Sequence, residues 1–142
     1  MSPPSGQRTI RRSIVARGIG IHTGHQATVS IHPAAPNTGR IFITPVGRVK
    51  ADYRSVSDTR RSTCLESEGA TVRTVEHLLS ALAGLEIDNC TIEVEGPELP
   101  ILDGSALPWI EMLTSAGIDQ SDVPPRLLAV DAPVSARTGE SW

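Results

Sequence analysis

Two apolar stripes at helical spacing limit the folds open to this chain, because each stripe needs an apolar surface to cover it. The first stripe recurs at i, i+3, i+4 and i+7 and consists of Val75, Leu78, Leu79 and Leu82. We expect Thr74 to act as the N-cap of this helix and Gly84 to end it. The pattern predicts a short helix with one buried face.

The second stripe consists of Trp109, Met112, Leu113 and Ala116. Ser105 can cap this helix, and Gly117 can end it. Pro108 falls in the first turn, where a missing N–H does little harm. Two helices this short cannot bury their stripes against each other alone, so the covering surface has to come from elsewhere in the chain.

Short β-type runs supply that surface. The clearest spans residues 89–95, where Cys90, Ile92 and Val94 alternate with polar residues. Further strands are predicted over residues 8–15, 27–32, 40–44 and 48–53. The economical arrangement is an α+β fold: a two-layer sandwich of a mostly antiparallel sheet with two helices on one face.

Composition excludes several classes of protein. The chain has 142 residues, a net charge of −3, 39% hydrophobic residues and only 3% aromatic residues, so it can build a core but makes a poor nucleic-acid binder. No apolar run approaches the ~20 residues of a membrane span, and the first residues carry no apolar signal core. We therefore expect a cytoplasmic protein with no nucleic-acid partner and no membrane span.

The chain divides into four parts by sequence pattern. We expect a disordered tail over residues 1–6, an N-terminal α+β domain over 7–118, a linker over 119–126 and the first strands of a truncated second domain over 127–142. The chain stops within a β-type pattern at Trp142, which indicates an incomplete polypeptide. A short natural tail is the alternative.

Glu76 and His77 carry the most informative chemical signal. On a helix that buries Val75 and Leu78, the two side chains fall together on the opposite face, in the first turn. A neutral imidazole there can bind a metal while the neighbouring carboxylate takes a proton from water, as in zinc hydrolases. On spacing alone, a solvated helix start whose glutamate favours the helix dipole explains the pair more simply.

A catalytic zinc needs about three protein ligands, and this sequence offers few. Its four histidines are His22, His25, His32 and His77, and no HExxH or HxH motif occurs. Either the remaining ligands lie outside this chain or the pair does not bind a metal.

Two loops are candidate ligand contacts. The loop GIGIHTG fails as a dinucleotide fingerprint because Thr23 stands where the third glycine is needed. It can display His22 and Thr23 to a ligand, or it can be a plain strand connection. Arg60 and Arg61 can bind an anionic group, although an isolated arginine pair is more often a solvated strand face.

Taken together, five segments resemble one family. They occur in the family's order and read GIGIHTG, NTGRI, SVSDTRRST, TVEHLLSALAGLEIDN and PELPILDGSALPWIEMLTSAGID. These resemble the N-terminal domain of the UDP-3-O-acyl-N-acetylglucosamine deacetylases, which are zinc-dependent enzymes of lipid A biosynthesis in Gram-negative bacteria. The resemblance extends over most of the chain, from about Gln7 to Trp142.

The resemblance implies roles for six residues. Glu76 matches the family's general base, and His77 matches the first of three zinc ligands. His22 matches a loop residue at the mouth of the active site, with Thr23 beside it. Arg60 and Ser62 fall in a segment that flanks the site, so His22, Thr23, Arg60 and Ser62 are expected to contact substrate.

The resemblance also implies what this chain lacks. In the family, two further zinc ligands, a proton-donating histidine, a threonine that contacts the carbonyl group and the passage for the acyl chain belong to the second domain. We therefore expect this chain alone to be inactive, and its partners to be zinc, an acylated UDP-N-acetylglucosamine and a second deacetylase domain. The alternative is a non-catalytic module that binds a nucleotide sugar or assembles with a partner, or half of a split enzyme.

Overall fold

The computed structural model describes residues 6–136. Within that range, ten strands and two α-helices follow one another along the chain. The strands are β1 (Arg8–Ile10), β2 (Ile14–Ile19), β3 (Gln26–Pro33), β4 (Arg40–Ile43), β5 (Arg48–Lys50), β6 (Val56–Asp58), β7 (Cys64–Ser67), β8 (Ala70–Arg73), β9 (Cys90–Glu95) and β10 (Ile118–Gln120). The helices are α1 (Glu76–Gly84) and α2 (Leu107–Ala116). The predicted α+β class is confirmed.

A five-stranded sheet in the order β2-β3-β9-β4-β5 forms one layer, and only its β4–β9 pair is parallel. Its register places apolar residues opposite one another: Val29 faces Val94, and Ile92 lies between Ile31 and Phe42. Residues that face each other across neighbouring strands point to the same side of a sheet. This row is therefore the core face of the sheet.

The two helices cover that face. Leu78 and Leu82 of α1 and Trp109 and Leu113 of α2 are buried in one cluster with the sheet residues. Gly117 ends α2 with a positive φ of 75°, as predicted. The predicted stripes and the two-layer arrangement are confirmed.

The predicted strand over residues 8–15 is two strands. The chain bends between Ile10 and Ile14, so that β1 pairs with β10 in a separate two-stranded sheet while β2 joins the large sheet. Neighbours along the chain cannot reveal this break, because the partner of β1 lies more than a hundred residues further on.

Buried amides hold β1 in place. The Nε2 atom of Gln7 donates to Asn37 Oδ1 at 2.9 Å and to the carbonyl oxygen of Pro124 at 3.0 Å. Its Oε1 atom accepts from the side chain of Asn89, and the backbone N–H of Gln7 donates to Val123 at 2.8 Å. The segment after β10 is thus fastened to the first described strand.

A three-stranded antiparallel sheet, β6-β7-β8, has no counterpart among the predicted strands. It lies beside β5. The strand predicted over residues 48–53 ends at Lys50, because the side chain of Asp52 accepts from the N–H of Arg54 and begins a short 3₁₀ turn.

The predicted domain boundaries stay a prediction. Residues 1–5 of the expected tail lie outside the described range, and Gly6 packs against the backbone of Ser121. The first residues of the expected linker belong to β10. Residues 127–130 form no strand and expose their side chains, with Leu128 94% exposed. Of the strand expected over 132–142, residues 137–142 lie outside the described range.

Neither helix within residues 6–136 has the length and apolar character needed to cross a membrane.

Candidate functional site

Glu76 and His77 form the first turn of α1, and both are half-buried. Burial of Val75 and Leu78 turns them away from the core. The Oε2 atom of Glu76 accepts a hydrogen bond from the backbone N–H of Thr63 at 3.0 Å. The N–H of Val75 donates in turn to the carbonyl oxygen of Thr63 at 3.4 Å. These two bonds hold the loop between β6 and β7 against the start of the helix.

Glu76 and His77 each keep polar atoms available for a ligand. The Oε1 atom of Glu76 accepts no hydrogen bond, and the imidazole of His77 makes none, within the described part of the chain. Asp103 lies near His77. Hydrogen bonds from the backbone and hydroxyl of Ser105 hold the pKa of Asp103 below its ordinary value, and His77 acts in the same direction.

Thr74 does not cap α1, so that prediction is wrong. Thr74 has a φ of 59°, and the hydroxyl that was expected to reach the helix N–H groups donates instead to Oε1 of Glu98 at 2.6 Å. The helix has no side-chain N-cap. A buried carboxylate competes successfully for the hydroxyl because an ionised acceptor forms the stronger hydrogen bond.

Glu98 is only 1% exposed and also holds the loop that carries His22. Its Oε2 atom accepts from the backbone N–H of Thr23 at 2.9 Å and of His22 at 3.1 Å. Burial alone would raise the pKa of Glu98, but the hydrogen bonds from Thr74, Thr23 and His22 outweigh it, and the pKa falls below its ordinary value. A Cβ atom at Gly20 would collide with this carboxylate, which explains a glycine there.

A cleft of about 490 Å³ lies between this loop and the three-stranded sheet. It is lined by His22, Asp58, Arg60, Arg61, Ser62 and Arg73. Arg60 contacts Asp58 with its Nη2 atom 3.0 Å from Oδ2, and hydrogen bonds from Arg60 lower the pKa of Asp58 to about 2. A smaller cleft of about 220 Å³, beside Gln7, contains none of the predicted residues.

The structure brings three of the six predicted residues to this cleft and links a fourth, Glu76, to its lining loop. His22, Arg60 and Ser62 line the cleft, and Thr63, the neighbour of Ser62, bonds to Glu76. Thr23 differs, because its hydroxyl is turned back into its own loop, where it accepts from the N–H of His25 at 3.3 Å. The roles of all six residues in binding or catalysis stay predictions.

Sequence reasoning missed two residues of this region. Glu98 had a signal, since it is a single charged residue between prolines and apolar residues in the segment PELP. Arg73 had none, because its place in the cleft depends on strand β8, which was not predicted. The register sets Arg73 opposite Cys64, which faces Asp58 on the other side.

A metal site in this region would be incomplete within the described chain. No three His, Cys, Asp or Glu side chains of residues 6–136 lie close enough to hold a metal ion. The half-buried, unbonded imidazole of His77 fits the requirements of a single zinc ligand. Two more ligands would have to come from elsewhere.

Comparison with known proteins gives a consistent answer. A family model described as UDP-3-O-acyl N-acetylglycosamine deacetylase matches residues 7–142. Proteins named UDP-3-O-acyl-N-acetylglucosamine deacetylase from Histophilus somni and Photobacterium profundum are 44% and 45% identical over 141 residues. In both cases the alignment covers 96% of this chain and 46% of the relative, so the chain spans about half the length of these curated relatives. The chain belongs to the UDP-3-O-acyl N-acetylglycosamine deacetylase family.

Proposed function

We propose that this chain is the N-terminal half of a zinc-dependent amidohydrolase that removes the acetyl group from UDP-3-O-acyl-N-acetylglucosamine, a step of lipid A biosynthesis. The substrate is inferred from the names of the relatives. It includes a second deacetylase domain as partner, since the relatives are about twice as long as the matched region. By itself, the chain is inactive.

The observation that carries the proposal is the arrangement of Glu76 and His77. A carboxylate with one oxygen fixed by Thr63 and one oxygen free stands next to an imidazole without a hydrogen bond. Both lie at the start of α1, and Thr63 joins Glu76 to the loop that lines a cleft large enough for a ligand. A purely structural helix start requires neither a fixed carboxylate nor an adjacent cleft.

Each residue then has a task that its geometry permits. His77 would hold the zinc ion through one ring nitrogen, with two ligands from the second domain. Zinc, when bound, supplies a Lewis acid that polarises the acetamide carbonyl and makes water more acidic. Glu76 takes the proton of the attacking water with its free Oε1 atom, while the N–H of Thr63 keeps the carboxylate in place. His22, Arg60 and Ser62 orient the substrate at the mouth of the cleft, and Thr23 supports the loop that carries His22.

The test uses the chain supplemented with the remaining half of the Histophilus somni relative and measures acetate release together with zinc content. Glu76→Gln keeps the shape and the Thr63 hydrogen bond but cannot take a proton, so we expect the rate to fall by about 10²–10⁴-fold with zinc content unchanged. His77→Ala should lose zinc and activity together.

Ser80→Ala, on the exposed face of α1 and outside the cleft, is the matched control and should leave both readouts unchanged. Full turnover by Glu76→Gln would contradict the assignment of Glu76 as the general base. Zinc-dependent turnover by the 142-residue chain without a second half would contradict the predicted division of the site.

A further inference from the structure

The smaller cleft beside Gln7 is separate from the larger cleft, with which it shares no lining residue. Its volume is about 220 Å³. One wall consists of buried amides, since Gln7 is 4% exposed and Asn89 is 2% exposed. The Oε1 atom of Gln7 accepts from the side chain of Asn89, and Oδ1 of Asn89 accepts from the N–H of Gly39 at 2.9 Å. These bonds fix the wall before a ligand binds.

Two polar side chains at this cleft keep donors without an acceptor. The Oδ1 atom of Asn37 accepts from Nε2 of Gln7 at 2.9 Å, which leaves Nδ2 of Asn37 unused within residues 6–136. The hydroxyl of Thr38 makes no hydrogen bond in that part of the chain either. The backbone N–H groups nearby are occupied, because Asn37 donates to Gln7 and Gly39 donates to Asn89. Residues 37 and 38 therefore contribute side-chain donors to the cleft.

Two cations and one anion also line this cleft, namely Lys50, Arg126 and Asp88. Neither cationic side chain has a hydrogen bond or an ion pair among the described residues. The Cε atom of Lys50 lies 3.8 Å from the position that a Cβ atom on Gly39 would occupy, so the lysine side chain extends along the turn that forms the cleft. The cleft thus holds two cations without a protein partner.

The carboxylates near these cations already have other partners. Asp88 accepts from the backbone N–H of Arg8 at 2.8 Å, which helps to hold β1. Hydrogen bonds from Arg54 lower the pKa of Asp52 to about 2, and the charge of Lys50 acts in the same direction without forming an ion pair. With Asp88 counted, the described lining residues keep an excess of one positive charge.

We propose that the smaller cleft binds one phosphate group, either free or at the end of a small molecule. A guanidinium fork, an ammonium group, an amide N–H and a hydroxyl together supply the donors that a tetrahedral oxyanion requires. The volume of about 220 Å³ is several times the ~30 Å³ share of a water molecule but below the ~300–1,000 Å³ of pockets for larger ligands. Binding of phosphate here does not depend on the deacetylation that we propose for the candidate site.

A phosphate group in this cleft joins two distant segments of the chain. Lys50 belongs to β5, whereas Arg126 follows β10 and lies two residues beyond Pro124, whose carbonyl oxygen Gln7 holds at 3.0 Å. Contact of both cations with one anion extends this attachment to the exposed Leu127. We therefore expect amide hydrogen exchange at residues 126–128 to slow when phosphate binds.

Nuclear magnetic resonance titration of the isotope-labelled 142-residue chain with inorganic phosphate, at constant ionic strength, tests the proposal. The amide signals of Thr38 and Gly39 report on the smaller cleft, and those of His22 and Ser62 report on the larger one. We expect saturable shifts at Thr38 and Gly39. Tighter binding of glycerol phosphate than of inorganic phosphate supports a phosphorylated small molecule, and weaker binding supports free phosphate. Acetate should bind about tenfold more weakly than phosphate.

Substitutions locate the site. Lys50→Gln and Arg126→Gln should each weaken phosphate binding about tenfold, the loss of one charge-assisted contact. Asp88→Asn should strengthen it, because it removes the one carboxylate among the described lining residues while an amide oxygen still accepts from Arg8. Arg48→Gln removes a positive charge from the same strand as Lys50 but outside the cleft, so it is the matched control. Circular dichroism of each variant checks that the fold is retained.

The absence of a saturable shift at Thr38 and Gly39 would overturn the proposal. So would folded Lys50→Gln and Arg126→Gln proteins that bind phosphate as the unaltered chain does, or shifts confined to the larger cleft. Acetate binding as tight as that of phosphate would overturn the assignment of a tetrahedral oxyanion. Glu76→Gln should bind phosphate normally, so loss of the proposed deacetylation with intact phosphate binding would contradict only the proposed function.

Discussion

At the scale of single residues, one buried carboxylate organises the candidate site. Glu98 joins the loop of His22 to Thr74, which lies two residues before the first residue of α1. The apolar spacing of the sequence predicted correctly that Glu76 and His77 lie on a helix, because that spacing depends only on residues a few positions away. It misassigned the Thr74 hydroxyl because its partner is 24 residues further along the chain. Side-chain partners at that separation depend on tertiary structure and leave little trace in local sequence.

Replacing Glu98 by Gln should destabilise the protein by about 2 kcal/mol at neutral pH, because an amide cannot accept all the N–H and O–H donors that the carboxylate satisfies. The pKa of Glu98 is lowered in the folded protein. Its stabilising contribution is therefore present above the ordinary carboxyl pKa and is lost as the pH falls through the folded value. Urea unfolding at pH 7 and at pH 4 measures both effects.

Glu95→Gln, which changes an exposed glutamate at the end of β9, is the control and should leave stability nearly unchanged. The difference in stability between the unaltered protein and Glu98→Gln should shrink at pH 4. A difference that stays the same at both pH values would show that the ionised carboxylate is not what holds the two segments.

At the scale of elements, the sequence predicted the parts with strong periodicity and missed the short hairpin. Both helices and the core strands β3, β4 and β9 have regular apolar spacing, so their burial could be read from the residues. The β7–β8 hairpin turns at Glu68 and Gly69, which have φ values of 49° and 83°. Positive φ at both turn residues is typical of a type I′ turn, for which Asn-Gly is the usual signal. Glu-Gly gave no such signal.

Glu68→Asn should therefore stabilise the hairpin, since asparagine tolerates positive φ better than glutamate does. We expect an increase of about 0.5–1 kcal/mol in the free energy of unfolding. Thermal unfolding followed by circular dichroism measures it. Glu68→Gln removes the same charge without the backbone preference, and an equal increase for Glu68→Gln would attribute the effect to charge.

At the scale of the whole molecule, the described fold depends on contacts between distant parts of the chain. Gln7 joins Asn37, Asn89 and Pro124 through its side chain. None of these pairings is visible in local pattern, which is why the split of residues 8–15 and the strand β10 were not predicted. The α+β class was predictable because it requires only that two helical stripes meet alternating strands.

Gln7→Ala should release this connection. It leaves the buried side-chain amide of Asn89 without its partner, at a cost of about 1–3 kcal/mol. Amide hydrogen exchange should accelerate in β1 and β10 more than in β3 and β9. Gln26→Ala, at the exposed start of β3, is the control, and equal acceleration throughout the sheet would indicate general destabilisation instead.

The pairing of β1 with β10 has a consequence for the newly made protein. A ribosome adds about 5–20 residues per second, so β1 leaves the exit tunnel on the order of ten seconds before the residues of β10 and the Val123 carbonyl group that complete it. During that interval the backbone groups of β1 that pair with β10, and the backbone N–H of Gln7, have only water or a chaperone as partners. Pairing of β1 is thus timed by translation of β10, and a pause before residue 118 would prolong the exposure of an unpaired strand edge.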